Sequence, residues 1–191
     1  MNTITDATSA TAPTRQGLPV IRPERVDGSD IGAIRALTAE AFAKVEHASD
    51  TEAKIIDALR DAGELRYSLV AVHAGRIVGH VAASRVTLDP PDGGWWYGIG
   101  PLSVHPDFQG QGTGSGLMRA LLDLLIVYGA TGAVLLGEPS LYARFGFAPR
   151  EGLTMAGLAP EQASYFQALR LDGTGSYPEA TVSYSPAFDV E

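Results

Sequence analysis

The sequence predicts one domain of the mixed α/β (α+β) class, in which helices flank a central sheet. Apolar residues recur with helical spacing in some segments and form short continuous runs in others, and glycine or proline separates the segments. The predicted order is β-α-α-β-β-β-α-β-α-β-α-β, with no internal repeat and no interior linker. The chain has 191 residues, of which 45% are hydrophobic and 19% charged. It is therefore long enough to bury a substantial core.

The first elements are a short strand at 18–21 and two helices. Ser29 or Asp30 is suited to cap the first helix, because both residue types accept hydrogen bonds from free helix N–H groups. Its apolar positions are Ile31, Ile34, Leu37 and Phe42. The second helix follows Asp50 and stops at Gly63.

Two strands follow, at 67–73 and 76–88. The Ala74-Gly75 pair between them predicts a hairpin, since glycine readily adopts the turn dihedrals. Trp95, Trp96 and Tyr97 begin the next strand and are interpreted as core or cross-strand packing residues, with an acceptor pocket as the alternative.

The strand at 95–104 is interrupted by Gly98, Gly100 and Pro101. Proline inside a sheet is confined to edges, strand starts and bulges. The sequence therefore predicts a bulge near Pro101, where N–H groups at 102–104 can turn toward a ligand. His105-Pro106 ends the strand, because proline has no N–H to donate.

A glycine-rich loop precedes the longest amphipathic helix pattern. Glycine occupies every second position from Gly110 to Gly116, and the apolar face of the helix begins at Leu117. Without Cβ atoms a ligand approaches the backbone closely, and the free N–H groups of the helix attract anions. The loop therefore predicts a phosphate site. The alternative is a glycine-rich connection before an ordinary core helix.

Other glycine motifs do not fit this loop. It ends without Gly-Lys-Ser/Thr, so it is no P-loop, and its glycines do not match GxGxxG. Ser115 stands in Thr-Gly-Ser-Gly, which fails the GxSxG nucleophile motif. This segment is therefore not predicted to be a P-loop, a dinucleotide-binding loop or the nucleophile turn of a serine hydrolase.

Residues 109–114 fit Q-x-x-G-x-G and directly follow Leu-Ser-Val-His-Pro. Here the sequence resembles the GCN5-related N-acetyltransferases, the GNAT superfamily, and in particular a bacterial branch of it. A second block at 134–147, VLLGEPSLYARFGF, supports the likeness, as do a helix pattern at 161–169 and a last strand at 181–188. The resemblance covers 18–191 and implies a bulged strand that splays from the strand beginning near Ala133. The pantetheine arm of acetyl-CoA is expected in that gap.

The resemblance implies where CoA is held. Expected contacts are Leu102, Ser103, Val104, Gln109, Gly110, Gln111, Gly112, Thr113, Gly114 and Ser115. Gln109 and Gln111 depart from the family, which often has Arg or Lys there, so amides and the helix dipole must carry more of the pyrophosphate binding. Arg119 and Arg144 are candidates for the 3′-phosphate, or ordinary exposed helix residues.

Three catalytic roles are expected from this likeness. The Val104 N–H is the candidate oxyanion donor. Tyr142 is the candidate acid for the departing thiolate, because a phenol is protonated at neutral pH; its alternative role is packing. Glu138 is the candidate base for the amine, or else a solvated helix-start charge. Glu46 and His47 are candidate acceptor contacts.

Composition limits the partners, metal sites and disulfides that the protein is expected to have. A net charge of −8 argues against a nucleic-acid partner, and no apolar run reaches 18 residues. Four scattered histidines and no cysteine predict no metal site and no disulfide. Residues 1–17 are predicted to be a flexible tail and 18–191 the domain. The expected protein is cytoplasmic, a monomer or homodimer, and an acetyl-CoA-dependent N-acetyltransferase acting on an amine; the alternative is an acyl-CoA sensor without turnover.

Overall fold

The computed structural model describes residues 17–43 and 51–190 as nine strands, three longer helices and several short helical turns. The strands are β1 (Val20–Pro23), β2 (Leu65–His73), β3 (Arg76–Arg85), β4 (Thr87–Asp89), β5 (Trp96–Val104), β6 (Gly132–Leu136), β7 (Leu153–Met155), β8 (Phe166–Arg170) and β9 (Ala180–Ser183). The helices are α1 (Ile31–Phe42), α2 (Thr51–Asp61), α3 (Thr113–Val127) and the short α4 (Pro139–Tyr142). Turns of 3₁₀ helix cover Pro106–Phe108, Ala143–Phe145, Pro160–Tyr165 and Pro186–Asp189.

Six strands form the main sheet in the order β1-β2-β3-β5-β6-β8. The β5 and β6 strands are parallel, and the other four pairs of adjacent strands in this sheet are antiparallel, so the predicted mixed sheet is confirmed. The parallel pairing covers only 96–98 of β5 against 132–134 of β6. Beyond Gly98 the two strands separate, which opens a gap in the middle of the sheet.

The predicted bulge is present in β5. Val81 pairs with Leu102 and Ala83 with Ile99, so the single residue Ala82 lies opposite Gly100 and Pro101. Two residues opposite one bend the bulged strand and break its ladder locally. Only Ile99 separates the bulge from Gly98, the last β5 residue that pairs with β6, which places the bend at the start of the gap.

Helices cover both faces of the sheet. On one face α3 buries Leu117, Leu121 and Leu125 against alternate residues of the strands. On the other face α1 and α2 bury Ile34, Leu37 and Ile56 against Val70 and Ile77. Because successive side chains of a strand point to opposite faces of the sheet, neighbouring residues pack in the core under α3 and in the core under α1 and α2. This sandwiching holds β3 and β5 rigidly beside the gap.

A second sheet, in the order β4-β9-β7, was not predicted. The strand expected at 76–88 ends at Arg85, and Thr87–Asp89 instead pairs with β9. The last strand, expected at 181–188, stops at Ser183 and continues into a 3₁₀ turn. Buried Val86, Val182 and Leu153 lie in the core between this sheet and β6–β8. The run at 76–88 is divided because its two ends pack in different sheets.

The helix expected at 161–169 is wrong in its second half. A 3₁₀ turn occupies Pro160–Tyr165, and Phe166–Arg170 is strand β8, paired antiparallel along all of β6. Without β8, the buried strand β6 would present unpaired N–H and C=O groups at its edge. Completing that ladder outweighs the weak helical pattern of the segment.

The N-terminal elements differ from expectation in detail. The first strand lies at Val20–Pro23 instead of 18–21. Asp30 stands at the N-cap of α1, yet its carboxylate makes no capping hydrogen bond and instead accepts two bonds from Arg22, at 2.6 and 2.9 Å. Asp50 lies outside the described residues. The hairpin turn is confirmed, with φ of +48° at Ala74 and +80° at Gly75.

Candidate active site

The gap between β5 and β6 opens into a cleft of about 630 Å³. Its wall combines the end of α1, the second half of β5, the glycine loop, the start of α3 and the segment around α4. The lining residues are Ala41, Phe42, Leu102, Val104, Phe108, Gln109, Gly110, Gly112, Gly114, Ser115, Leu141, Tyr142 and Arg144. Sequence segments that are far apart along the chain therefore meet at one site.

Backbone amides of β5 point into this gap. The His105 N–H donates to the Val78 carbonyl, on the β3 side of the strand. Hydrogen-bonding sides alternate along an antiparallel strand, so the N–H groups of Val104 and Leu102 point away from β3. No β6 residue pairs with β5 beyond Gly98. The N–H groups of Leu102 and Val104 therefore face the gap, on the side where a ligand would lie.

Ser103 occupies a different position from its neighbours. Its side chain is fully buried and its hydroxyl donates to Thr38 of α1 at 3.1 Å. By the same alternation its N–H points toward β3. Ser103 therefore holds α1 against β5 and does not face the cleft.

Gln109 and Gln111 stabilise the loop through their side chains. The Gln109 Nε2 donates to the Val104 carbonyl at 2.9 Å, and the Gln111 Nε2 donates to the Asp107 carbonyl at 2.6 Å. Both side-chain amides thus fold back onto the segment that links β5 to α3. These side-chain amides therefore stabilise the loop that precedes α3.

The loop glycines have two distinct roles. Gly110 and Gly112 adopt φ of +70° and +89°, a left-handed conformation that disfavours side chains, and a Cβ at either would enter open space. Gly112 is the N-cap of α3, so the free N–H groups of the first turn face the cleft. Gly116 instead allows close packing, since its Cβ would lie 3.1 Å from the Ile21 side chain.

Tyr142 reaches the cleft from the end of α4. A Cβ at Gly137 would lie 2.5 Å from the Tyr142 ring, so the absence of a side chain there lets the ring pack closely, and the Phe147 ring lies at 77° to it, with 6.4 Å between centroids. Burial raises the pKa of the Tyr142 phenol above its ordinary value, because the phenolate loses hydration. The hydroxyl therefore remains a proton donor at neutral pH.

Glu138 is placed as a helix cap. It is exposed, and its carboxylate accepts from the Ser140 N–H at 3.5 Å at the start of α4. It does not belong to the cleft lining, where no Asp, Glu or His occurs among the described residues. The structure thus gives Glu138 the helix-start role that the sequence left open.

The candidate arginine and aromatic residues lie partly inside and partly outside the cleft. Arg144 lines the cleft and Arg119 does not, and both guanidinium groups lie against the Phe145 ring. Trp96 and Tyr97 are buried core residues, whereas the exposed Trp95 stacks on Arg85 at 3.8 Å. The packing interpretation is confirmed for Trp96 and Tyr97, whereas Trp95 lies at the surface before β5 begins. Glu46 and His47 lie outside the described residues.

Sequence reasoning missed the apolar wall of the cleft. Ala41 and Phe42 come from α1, some sixty residues before β5, and their pattern there is that of any core helix. Phe108 was detectable, since it stands within the loop between His105 and Gln109. Among the described residues no cluster of His, Asp and Glu could hold a metal ion, and no helix could cross a membrane.

A splayed strand pair whose amides face the gap, beside a glycine-rich helix start, forms a cleft suited to an extended ligand that carries phosphate. Comparison with known proteins identifies that class. The model of the Acetyltransferase (GNAT) family matches residues 31–147, and the chain belongs to this family of acetyltransferases. The predicted resemblance is confirmed.

Two curated relatives come from Escherichia coli K12. The chain is 39% identical over 109 residues to the uncharacterized N-acetyltransferase YhbS, an alignment covering 56% of this chain and 65% of YhbS. It is 32% identical over 127 residues to the uncharacterized N-acetyltransferase YjhQ, covering 66% of this chain and 68% of YjhQ. Both relatives carry the family name without an assigned acceptor.

Two solved structures hold the coenzyme. A GNAT acetyltransferase from Brucella melitensis in complex with acetyl-CoA matches with a TM-score of 0.75 and 39% identity, over 92% of this chain and all of that one. YhbS from E. coli in complex with CoA matches with a TM-score of 0.78 and 33% identity, over 95% and 97% of the two chains. The predicted GNAT fold is confirmed by these neighbours, and the coenzyme that both of them hold is the one that the sequence predicted for this chain.

Proposed function

We propose that this protein transfers the acetyl group of acetyl-CoA to a primary amine of a small molecule or protein by direct attack. The observation that carries the proposal is the convergence of three features on one cleft. These are the outward-facing amides of Leu102 and Val104, the N-terminus of α3 with its glycine loop, and the protonated hydroxyl of Tyr142.

Each feature has a role in acyl transfer. The pyrophosphate binds at the glycine loop and the first turn of α3, and the pantetheine arm continues along β5 as a surrogate strand in the gap. That path brings the thioester carbonyl beside the β5 amides. The Val104 N–H then donates to the carbonyl oxygen as it becomes anionic, a contribution of roughly 3 kcal/mol for a preorganised donor.

The bonds then change in sequence. The neutral amine nitrogen attacks the thioester carbon, and the C–S bond breaks as the tetrahedral intermediate collapses. The Tyr142 hydroxyl gives its proton to the departing sulfur, which leaves as the CoA thiol. The nitrogen loses its extra proton to solvent, and a proton returns to the phenolate, so charge balances over the cycle.

One observation favours the sensor alternative. The cleft wall has no carboxylate or imidazole among its described residues, so no side chain there is suited to take a proton from an ammonium acceptor. A protein that binds acyl-CoA and signals its presence needs no such base. The two functions therefore differ in turnover, not in coenzyme binding.

A thiol-release assay distinguishes them. Acetyl-CoA is mixed with the protein and a panel of amines, comprising polyamines, amino sugars, amino acids and lysine peptides, and free thiol is followed over time. We expect release that depends on one amine class and on enzyme concentration. Micromolar CoA binding by calorimetry without release on any amine would favour the sensor.

A further inference from the structure

The side chain of His105 connects the glycine loop to α1 across the end of β5. Its Nδ1 accepts from the Asp107 N–H at 3.2 Å, so its Nε2 carries the proton and donates to the Glu40 carboxylate at 3.0 Å. The imidazole is nearly buried, with 9% of the residue exposed. It also meets the Phe108 ring edge-on, at 6.1 Å between centroids.

The groups that His105 holds are next to cleft residues on both sides. Asp107 precedes Phe108 and Gln109 in the loop, and Phe108 and Gln109 line the cleft. Glu40 stands in the last turn of α1, immediately before the lining residues Ala41 and Phe42. The imidazole itself faces the opposite side of β5, toward a separate pocket that Glu40 and Arg76 also line.

We propose that His105 is a positioning residue that aligns the two walls of the CoA cleft through two separate hydrogen bonds. The bond from the Asp107 N–H shapes the loop, and the bond to Glu40 fixes the end of α1 against it. A bound coenzyme meets a preformed cleft only when both bonds are present. The proposal relies on CoA occupying this cleft and not on turnover.

Substitutions separate the two bonds. In His105→Asn the side-chain oxygen still accepts the Asp107 N–H but cannot reach Glu40, and Glu40→Ala removes the same second bond from the other side. His105→Ala removes both. Glu40→Gln retains an oxygen that accepts the Nε2 proton. Arg76→Ala is the matched control, since Arg76 contacts the same carboxylate from an exposed position at 3.5 Å.

Calorimetric titration of each folded variant with CoA tests the proposal. We expect His105→Asn and Glu40→Ala each to weaken CoA binding about fivefold, and their combination to weaken it no more than either alone, because both remove one shared interaction. His105→Ala should weaken it about twentyfold. Glu40→Gln and Arg76→Ala should stay within about twofold of the parent.

The opposite pattern overturns the proposal. Parental CoA affinity in Glu40→Ala would show that α1 needs no such tie, and effects that multiply in the double variant would show that the two residues act independently. Both readouts are equilibrium affinities. If no amine were ever acetylated, the proposed function would fail. The proposal for His105 would still be tested by the CoA affinities of the variants.

Discussion

At the scale of single residues, the proposed reaction requires Tyr142 to be protonated when the thiolate develops. Its burial raises the phenol pKa, which lengthens the pH range in which the hydroxyl can donate. The same residue packs on Gly137 and Phe147, so its ring and its hydroxyl have separable roles. A substitution that keeps the ring isolates the hydroxyl.

Tyr142→Phe is therefore expected to lower kcat by about 10² to 10⁴ fold, the usual contribution of a general acid. Acetyl-CoA affinity should change little, because the hydrogen bond matters mainly as charge develops on sulfur. Steady-state kinetics with the acceptor found in the amine panel measures both. Tyr165→Phe, at a partly exposed tyrosine outside the cleft, is the control. Turnover within threefold of the parent would reduce Tyr142 to a packing residue.

Gly112 gives a second prediction at the residue scale. Gly112→Val should weaken CoA binding at least tenfold, about 1.4 kcal/mol, because its side chain would enter the cleft where the pyrophosphate approaches the backbone. Gly63→Val is matched for backbone strain, with φ of +69° and open space around its Cβ, but it follows α2 away from the cleft. Equal CoA affinity in the two variants would contradict the loop's role.

At the scale of elements, the site depends on how α1 is anchored to the edge of the sheet. The side chain of Asp30 is only 4% exposed. Its carboxylate accepts hydrogen bonds from Nη1 and Nη2 of Arg22 and from the backbone N–H of Arg25. These bonds hold the pKa of the Asp30 carboxyl down, at about 2. The start of α1 is thus fixed to β1 by a charged contact, while its other end forms the cleft wall.

Asp30→Ala should lower the free energy of unfolding by about 2–4 kcal/mol, since it leaves a guanidinium and a backbone N–H without their buried partner. Urea denaturation measures the change. Asp27→Ala serves as the control in the same loop, because that exposed carboxylate accepts only from Ser29 among the described contacts. A loss no larger than that of the control would show that α1 is held by its apolar face alone.

At the scale of the whole molecule, a buried histidine links stability to pH. His80 is fully buried, its Nε2 contacts the Ser68 hydroxyl, and Ser68 in turn contacts Glu24. Burial lowers the pKa of His80 to about 3, so the folded protein holds the imidazole neutral. The unfolded chain, with an ordinary histidine pKa near 6.5, binds the proton more readily.

The free energy of unfolding should therefore fall as pH drops from about 6.5 to 3, with His80 contributing up to about 1.4 kcal/mol per pH unit, and it should be unaffected by His80 above 6.5. Below about pH 4 the protonation of Asp30 adds to the loss, in the same direction. Denaturation at a series of pH values measures the slope. His80→Gln should flatten it between pH 6 and 4; an unchanged slope would assign the acid sensitivity to other groups.

Residues 1–16 give a prediction that rests on the sequence. They have no apolar periodicity, so they have little surface to bury in a core. Deleting them should leave the melting temperature within about 2 °C and the CoA affinity within about twofold. A marked loss of either on truncation would show that this segment contributes to the domain.

Much of the candidate CoA site could be located from the sequence because it is built from local constraints. Proline fixes φ at 101, and glycine permits the left-handed φ found at 110 and 112, whatever surrounds them, so the bulge and the loop could be inferred directly. The apolar period of α3 likewise identifies its buried face. The functional family followed because these local features lie close together in the chain.

Only the tertiary structure decided which distant segments complete the cleft. Phe42 and Tyr142 meet because β5 and β6 are neighbours that separate after Gly98, and strand order is a property of the whole sheet. Pairing with β6 makes Phe166–Arg170 a strand despite its weak helix pattern, and Glu138 lies at the N-cap of α4, outside the lining of the cleft. The dihedral preferences of proline and glycine belong to single residues and can be inferred locally. Burial and strand pairing depend on residues in other segments of the chain, so only the tertiary structure determines them.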